Sequence, residues 1–391
     1  NIDFIVEDLF VTSKQISHSC ELNNISQSLF KLRRNQIDAI DNVLKQNFMS
    51  GIIQQIMGAG KTYILLSLIK EHAKLNNNKT YIICCDRIEA LKQYFYYESD
   101  KLLKNKKLVK KVKNKYYYWD DNKFDDWNNK NIINMYDFNL IDCIYNKPKK
   151  ILFDENKPNI VIINTTFLIS KNFFTNKSKI GLFLLDECHN ISGPKFFDYL
   201  YTTFTMNHLP IIGFSATPLR DTKIAKEHIN KIFKIDNKIN IISDYNLFDG
   251  IKDDICLPFK IMYVENDCSK ATKNILPIQI KTLENKINEM KKILPYKKII
   301  IWVHDNKKLK IIFQCLLSIF KNDFEMFVST SYDKQYEEEF GKQYTNYNRF
   351  CKLDKNAILV CINRCREACD IYHLDCAIHF DHVKKRSTLV S

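Results

Sequence analysis

The sequence predicts an α/β protein with two successive sets of parallel strands, and three observations support this fold class. Short, continuous apolar runs recur along the chain, and their length and β-branched content are typical of buried parallel strands. The longer segments between them are typical of helices. Polar residues suited to phosphate and metal chemistry follow several strands, at the edge where open parallel sheets bind ligands.

Length and charge favour several domains and a polyanionic partner. The chain has 391 residues, of which 45% are hydrophobic, enough for two or three cores. Lys and Arg number 59 against 45 Asp and Glu, and the net charge of +14 attracts nucleic acid. Part of this excess reflects a general bias toward Lys, Asn, Ile, Phe and Tyr.

The 13 cysteines lie mostly in apolar runs, so we expect reduced, buried thiols and no disulfide framework. The spacing of Cys188 and His189, and of the cysteines between Cys361 and Cys376, differs from that of structural zinc sites. No stretch approaches the roughly 18 consecutive apolar residues of a membrane span. We therefore expect a soluble, intracellular protein.

The first predicted element is a helix that begins near Leu32. Residues 1–28 carry no motif and form a lead segment. Leu32, Ile37 and Ile40 are spaced to share one helix face. Gln36, taken singly, is expected to be an ordinary surface residue, although an amide upstream of a phosphate site also suits an adenine edge, because it both donates and accepts.

An apolar strand at 51–57 leads into a phosphate-binding loop. The loop residues are Gly58, Ala59, Gly60, Lys61 and Thr62. The two glycines let backbone amides approach a phosphate, while the lysine supplies a cation and the threonine hydroxyl a ligand for Mg²⁺. Gln55 stands where the usual pattern begins with glycine. A helix at 63–73 and a strand at 80–85 complete a βαβ unit.

Residues 99–150 are predicted to be an insertion. Eight lysines fall between Lys101 and Lys115, and three tyrosines and Trp119 follow. Basic and aromatic residues together suit a nucleic-acid strand. The alternative is a solvated Lys-rich helix whose aromatic residues pack on the domain, and the aspartates that follow favour this alternative because they repel phosphates.

Two further strands end in polar residues. The strand at 180–185 is followed by Asp186 and Glu187, and the carboxylates suit Mg²⁺ binding and orientation of the water that attacks a γ-phosphate. The strand at 210–214 is followed by Ser215 and Thr217. The order of a phosphate loop, a carboxylate pair and a hydroxyl pair makes coincidence improbable.

A join at 222–252, expected to be polar and irregular, precedes a second αβ set. The elements predicted for this second set are strand 259–264, helix 275–294, strand 298–303, helix 306–320, a strand ending at 328–330, and strands at 357–362 and 376–381.

The chain resembles the superfamily 2 helicases and translocases, in the DEAD-like branch that includes type III restriction motor subunits and relatives in large DNA viruses. Gly58 to Thr62 matches motif I, Asp186 to His189 matches motif II as DECH, and Ser215 to Thr217 matches motif III. The resemblance implies two tandem RecA-like domains, at 29–245 and 246–391, that bind ATP and Mg²⁺.

The resemblance also assigns roles to individual residues. Gln36 is expected to read adenine, Asp370 to contact nucleotide, and His189 with Ser215 and Thr217 to couple the ATP state to nucleic-acid binding. Nucleic-acid contacts are expected at strand ends, from Arg87, Thr165, Thr166, Ser329 and Thr330.

The chain departs from the family pattern at three places. Asp86 replaces a proline before Arg87, and Ala368 replaces the glycine of motif V. The family continues into motif VI, whose arginines reach the γ-phosphate, whereas this sequence stops at Ser391, so the second domain is expected to be incomplete. Because arginine fingers contribute roughly 10³ to 10⁵ in turnover, the 391 residues alone are expected to bind ATP and hydrolyse it poorly.

We therefore expect an ATP-dependent helicase or translocase that acts on nucleic acid, with DNA favoured over RNA. Two alternatives stay open. One is an ATP-gated nucleic-acid-binding protein without turnover. The other is a motor subunit of a restriction or transcription assembly.

Overall fold

The computed structural model describes residues 30–380 apart from internal gaps. The gaps are residues 77, 93–94, 99–107, 113–114, 120, 171–176, 192, 219–222, 257–275, 294–297, 331–332, 363–370 and 372–373. The lead segment, the predicted strand at 259–264 and Asp370 therefore lie outside the described residues.

Strands and helices alternate along most of the chain. The described strands are β1 (Gly51–Gln55), β2 (Thr80–Cys85), β3 (Phe95–Glu98), β4 (Leu108–Val112), β5 (Lys115–Trp119), β6 (Asn139–Asp142), β7 (Asn159–Asn164), β8 (Ile180–Asp186), β9 (Ile211–Ser215), β10 (Lys234–Ile235), β11 (Lys238–Ile239), β12 (Ile241–Tyr245), β13 (Lys298–Trp302), β14 (Glu325–Ser329), β15 (Ala357–Cys361) and β16 (Cys376–His379). The described helices are α1 (Arg34–Lys45), α2 (Lys61–Leu75), α3 (Ile88–Leu91), α4 (Asp121–Asn129), α5 (Thr165–Ser170), α6 (Pro194–Thr203), α7 (Lys223–Phe233), α8 (Leu247–Lys252), α9 (Leu276–Ile293), α10 (Asn306–Phe320), α11 (Asp333–Phe340) and α12 (Tyr347–Lys352).

The first sheet has seven parallel strands in the order β12-β1-β9-β8-β2-β7-β6. Both of its faces are covered. In β2, Tyr81 and Ile83 belong to one hydrophobic cluster, whereas Ile82 and Cys84 belong to another. A strand with two covered faces is apolar at successive positions, which explains the continuous apolar runs in the sequence.

The second sheet has four parallel strands in the order β14-β15-β13-β16. Its two faces are also covered: Ile299 and Ile301 of β13 pack in one cluster and Ile300 in another. The predicted α/β class with two parallel sheets is confirmed. Helix α10 begins after Asp305, whose Oδ1 accepts a hydrogen bond from the Lys308 amide at 2.9 Å, as N-cap aspartates do.

Helix α1 buries Ile40 as predicted, and Leu32 before it is partly buried, but Ile37 is not on the buried face. Asn35, Gln36, Ala39, Ile40 and Val43 are buried, while Ile37 is 43% exposed. The expectation of a surface glutamine at position 36 is therefore wrong. Its Oε1 accepts from the Arg33 amide at 2.9 Å, which closes the first turn of the helix.

The predicted insertion contains strands in place of the Lys-rich helix. Strands β3, β4 and β5 form an antiparallel sheet in the order β3-β5-β4. Val, Tyr and Trp, which are enriched in strands, occur in β4 and β5, and the helical alternative is wrong for the described residues. Residues Asn139–Asp142 of the same segment pair with β7 as the edge of the first sheet.

The join at 222–252, predicted to be irregular, is ordered. It contains α7, the antiparallel pair β10 and β11, the edge strand β12 and α8. Strand β12 pairs in parallel with β1, with Ile52 opposite Ile241 and Gln55 opposite Tyr245. Only Ile242 and Tyr245 of this edge strand are buried, which gives a weaker sequence signal than a continuous apolar run.

Among the described helices, none combines the length and the apolar character needed to cross a membrane.

Candidate functional site

The phosphate-binding loop connects β1 to α2 and depends on two glycines. Gly58 and Gly60 have φ values of +78° and +84°, in the left-handed region that only glycine enters without strain. A Cβ on Gly60 would also lie 2.1 Å from the Gln36 Nε2. Helix α2 begins directly after Gly60, so its first amides border the loop, an arrangement that favours bound anions.

Helix α1 and the residue before it, Arg33, hold the loop by donating hydrogen bonds to carbonyl oxygens of the loop. Arg33 Nη1 donates to the Gly58 carbonyl at 3.2 Å, and Gln36 Nε2 donates to the Ala59 carbonyl at 3.0 Å. Lys61 Nζ lies 3.5 Å from the Gln55 carbonyl. The predicted residues of the loop and Gln36 thus come together, with the Gln36 amide in contact with the loop backbone.

The carboxylates of motif II lie at the end of β8, on the same edge of the sheet. Lys61, Thr62 and Asp186 line one cavity. Glu187 follows in the left-handed conformation with φ +50°, and its amide donates to Asp186 Oδ1 at 3.0 Å. This turn fixes the direction of both carboxylates relative to the strand.

The cavity is small and its lining is mostly apolar, but its three polar residues include two oxygen donors and the cation of Lys61. A threonine hydroxyl and an aspartate carboxylate are hard oxygen ligands of the kind Mg²⁺ prefers. Burial raises the pKa of Asp186 above its usual range, and the nearby Lys61 ammonium acts in the opposite direction. Thr62 and Asp186 are therefore the residues that fit a metal ion here.

Motifs II and III are joined by hydrogen-bonding groups. His189 Nδ1 lies 2.8 Å from Ser215 Oγ and 3.2 Å from Glu187 Oε2. Ser215 Oγ also accepts from the Thr217 amide at 3.1 Å. His189 and Ser215 are buried, so Glu187 is connected through His189 to the turn after β9.

Three of the predicted nucleic-acid contacts follow neighbouring strands of the first sheet. Arg87, which is exposed, lies two residues after β2, with its Nε 4.0 Å from Asp86 Oδ2. Thr165 and Thr166 begin α5 directly after β7, and β2 and β7 are paired in parallel. Thr165 is buried and Thr166 exposed, so Thr166 and Arg87 are the accessible groups.

Ser329 and Thr330 lie at the end of β14 in the second sheet, and each side chain is 1% exposed. Their burial differs from the open position expected of a residue that contacts a nucleic-acid strand.

Two site residues were missed by the sequence analysis. Asn35 Nδ2 donates to Gln55 Oε1 at 2.9 Å and lies 3.3 Å from the Ala59 carbonyl. Gln55, fully buried, also places its Nε2 3.4 Å from Ser243 Oγ. The only sequence signal was the replacement of glycine by glutamine at position 55, next to an apolar strand.

A phosphate-binding loop and an acidic strand end at the carboxyl edge of a parallel sheet define the class: this is a P-loop protein with RecA-like sheets. Residues 29–220, about half of the chain, match the family described as type III restriction enzyme, res subunit. This region is therefore similar to that family, and the resemblance to superfamily 2 is confirmed. No curated protein matches the chain.

Solved structures share the fold at low sequence identity. An HsdR-subunit fragment of a type I restriction enzyme from Vibrio vulnificus YJ016 has a TM-score of 0.59 at 16% identity, with 91% of this chain and 59% of that chain covered. Mss116p bound to ssRNA and AMP-PNP has a TM-score of 0.55 at 18% identity, with 92% and 66% covered.

The ATP-dependent type ISP restriction-modification enzyme LlaBIII bound to DNA has a TM-score of 0.55 at 14% identity, with 92% of this chain and 26% of that chain covered. The chain spans less than two thirds of each of these three structures.

Proposed function

We propose that the protein is a nucleic-acid-dependent ATPase that works as a helicase or translocase, with DNA as the favoured substrate. One observation carries the proposal. Lys61, Thr62 and Asp186 surround one cavity, and Glu187 beside it is linked through His189 to Ser215. Because the nucleotide site is connected in this way to the end of a neighbouring strand, it is suited to coupling ATP hydrolysis to nucleic-acid binding.

Each residue of the site has a defined task in this proposal. The loop amides and Lys61 hold the β- and γ-phosphates of ATP, and Thr62 and Asp186 hold Mg²⁺, which neutralises phosphate charge. Glu187 accepts a proton from the water that attacks the γ-phosphate. Gln36 and Asp370 are proposed to contact the nucleotide as well.

Nucleic acid is proposed to cross the first sheet at the ends of β2 and β7. Arg87 and Thr166 are the accessible groups there, with the buried Thr165 beside them. Among structures with the same fold, LlaBIII is bound to DNA and Mss116p to ssRNA. The match to a restriction-enzyme family favours DNA, and it also supports a role as the motor subunit of a larger assembly.

Lys61→Ala and Glu187→Gln test the proposal. Both variants are expected to reduce nucleic-acid-stimulated ATP hydrolysis in the full-length protein by about 10² or more, the usual contribution of a positioned acid–base or phosphate-binding group. Turnover is measured by phosphate release with single-stranded DNA, duplex DNA and RNA in separate reactions.

The matched controls are Lys74→Ala and Glu71→Gln. These two side chains form an ion pair on α2 with an N–O distance of 2.7 Å, and an exposed pair of this kind contributes little. Unchanged ATP turnover in both Lys61→Ala and Glu187→Gln would contradict the proposed function. ATP binding without turnover in the wild type would instead support the ATP-gated binding protein.

A further inference from the structure

The phosphate-binding loop is contacted on one side by the segment Tyr245–Cys256, which we call the brace. The brace begins at Tyr245, the last residue of β12, the edge strand beside β1. At its beginning, the Tyr245 carbonyl accepts a hydrogen bond from the Ile56 amide at 3.2 Å. At its end, Cys256 Sγ lies 3.6 Å from the Met57 carbonyl. The brace is therefore attached at both ends to the two residues that precede Gly58.

Between these attachments the brace packs against the loop. Ile56, Ala59 and Tyr245 form a buried hydrophobic cluster, with Leu247 and Ile255 packed against it. Gly250 makes the closest approach, since a Cβ there would lie 2.0 Å from Ile56 Cδ1. Glycine at position 250 thus leaves room for the Ile56 Cδ1 methyl, which a larger residue would force to shift.

The brace has its own internal hydrogen bonds, so it presents a defined surface to the loop. Asn246 Oδ1 accepts from the Phe248 amide at 2.9 Å, and Asp249 Oδ2 accepts from the Asn246 amide at 3.0 Å. Tyr245 Oη donates to Asp253 Oδ2 at 2.8 Å. The amide of Ile255 returns to the Gly250 carbonyl at 2.8 Å.

From these contacts we infer that the brace positions the phosphate-binding loop for the triphosphate of ATP. Tyr245, Gly250 and Cys256 act as positioning residues through their contacts with Ile56 and Met57. The inference rests on the proposed function, because it concerns the same ATP site. It adds a second support for the loop, besides the hydrogen bonds that Arg33 and Gln36 make to Gly58 and Ala59.

Gly250→Ala is the direct test, because the added methyl group must displace Ile56 or α8. We expect the Kd for ATP to rise about tenfold, measured by titration with a fluorescent ATP analogue in the absence of nucleic acid. Gly193→Ala is the matched control, since a Cβ at Gly193 meets no atom within 4 Å. Its Kd should equal that of the wild type.

Ile56→Val separates positioning from general damage. This change removes Cδ1, the atom 2.0 Å from the added Cβ, and the next atom of Ile56 lies at 3.4 Å, an ordinary contact distance. The double variant Gly250→Ala with Ile56→Val should therefore recover most of the ATP affinity. Thermal unfolding of all four variants without nucleotide shows whether affinity and stability change together.

The outcomes distinguish this inference from the proposed function. A wild-type protein that does not bind ATP contradicts the proposed function itself. Wild-type affinity in Gly250→Ala, or a loss that Ile56→Val does not restore, overturns the brace as a positioning element.

If Gly250→Ala does not fold, Tyr245→Phe is tested in its place. Loss of the hydrogen bond from the Tyr245 hydroxyl to Asp253 should raise the Kd for ATP about twofold or more, and an unchanged Kd overturns the inference.

Discussion

Gln55 is a buried amide in a place where phosphate-binding loops usually carry glycine. Its side chain bridges α1 and β12, because it accepts from Asn35 and contacts Ser243. Both partners are distant in sequence, at separations of 20 and 188 residues. The glutamine therefore fixes three segments around the beginning of the loop, a task that glycine has no side chain to perform.

Gln55→Ala is expected to lower the free energy of unfolding by about 2 kcal/mol, because it leaves a cavity and removes the acceptor of the buried Asn35 amide. Chemical denaturation measures this change. Gln54→Ala is the control on the same strand, where the side chain is only partly buried, and a loss of about 0.5 kcal/mol or less is expected. Equal losses in the two variants would contradict the bridging role.

The sequence predicted those site residues that lie in local patterns and missed those that depend on distant contacts. Lys61 and Asp186 follow strands in a recognisable order, so their positions at one sheet edge could be inferred. The burial of Gln36 could not, because it results from contact with Ala59, 23 residues away. The same reason explains why Asn35 was missed.

At the scale of helices and strands, the apolar runs predicted the central strands well. Strands β2, β7 and β8 are buried on both faces, and such strands need an apolar residue at every position. Edge strand β12 is buried only at Ile242 and Tyr245, so its sequence has no continuous apolar run, and the pattern at 222–252 predicts an irregular join. The sequence of the Lys-rich strand β4 is likewise compatible with either a helix or a strand. Its pairing with β5 is what makes it a strand.

Helix α2 contains a histidine whose burial makes the fold sensitive to acid. His72 Nδ1 lies 3.1 Å from the Tyr81 hydroxyl, and the ring packs edge-on against Phe48 with centroids 4.8 Å apart. Burial, assisted by the charge of Lys79, lowers the pKa of His72 from 6.5 to about 4. The folded state therefore binds fewer protons at this site than the unfolded state between these two values.

Because the folded-state pKa is depressed, the contribution of His72 to stability is complete above about pH 6.5 and is lost as the pH falls toward 4. We expect Tm to fall across this interval, and His72→Gln, which cannot be protonated, to flatten this part of the Tm–pH profile. The two profiles are compared by thermal unfolding at several pH values. Parallel profiles would show that other groups cause the acid sensitivity.

At the scale of the whole molecule, fold and charge have separate consequences. Two parallel sheets place their strand ends, and therefore their functional side chains, at defined edges. The net charge of +14 acts over the entire surface and carries no information about position. The salt dependence of the Kd for nucleic acid should therefore separate a specific contact at a strand end from the general attraction of the positive surface charge.

We expect the Kd for single-stranded DNA to rise steeply between roughly 50 and 200 mM salt, because bound phosphates release counterions. Arg87→Ala should reduce the slope of log K against log salt by about one, since it removes one phosphate contact. Arg34→Ala is the control: its side chain is exposed and pairs with Asp38 at 3.7 Å. An equal change in both variants would mean that Arg87 contributes only through net charge, and the proposed path across β2 and β7 would then lose its basic contact.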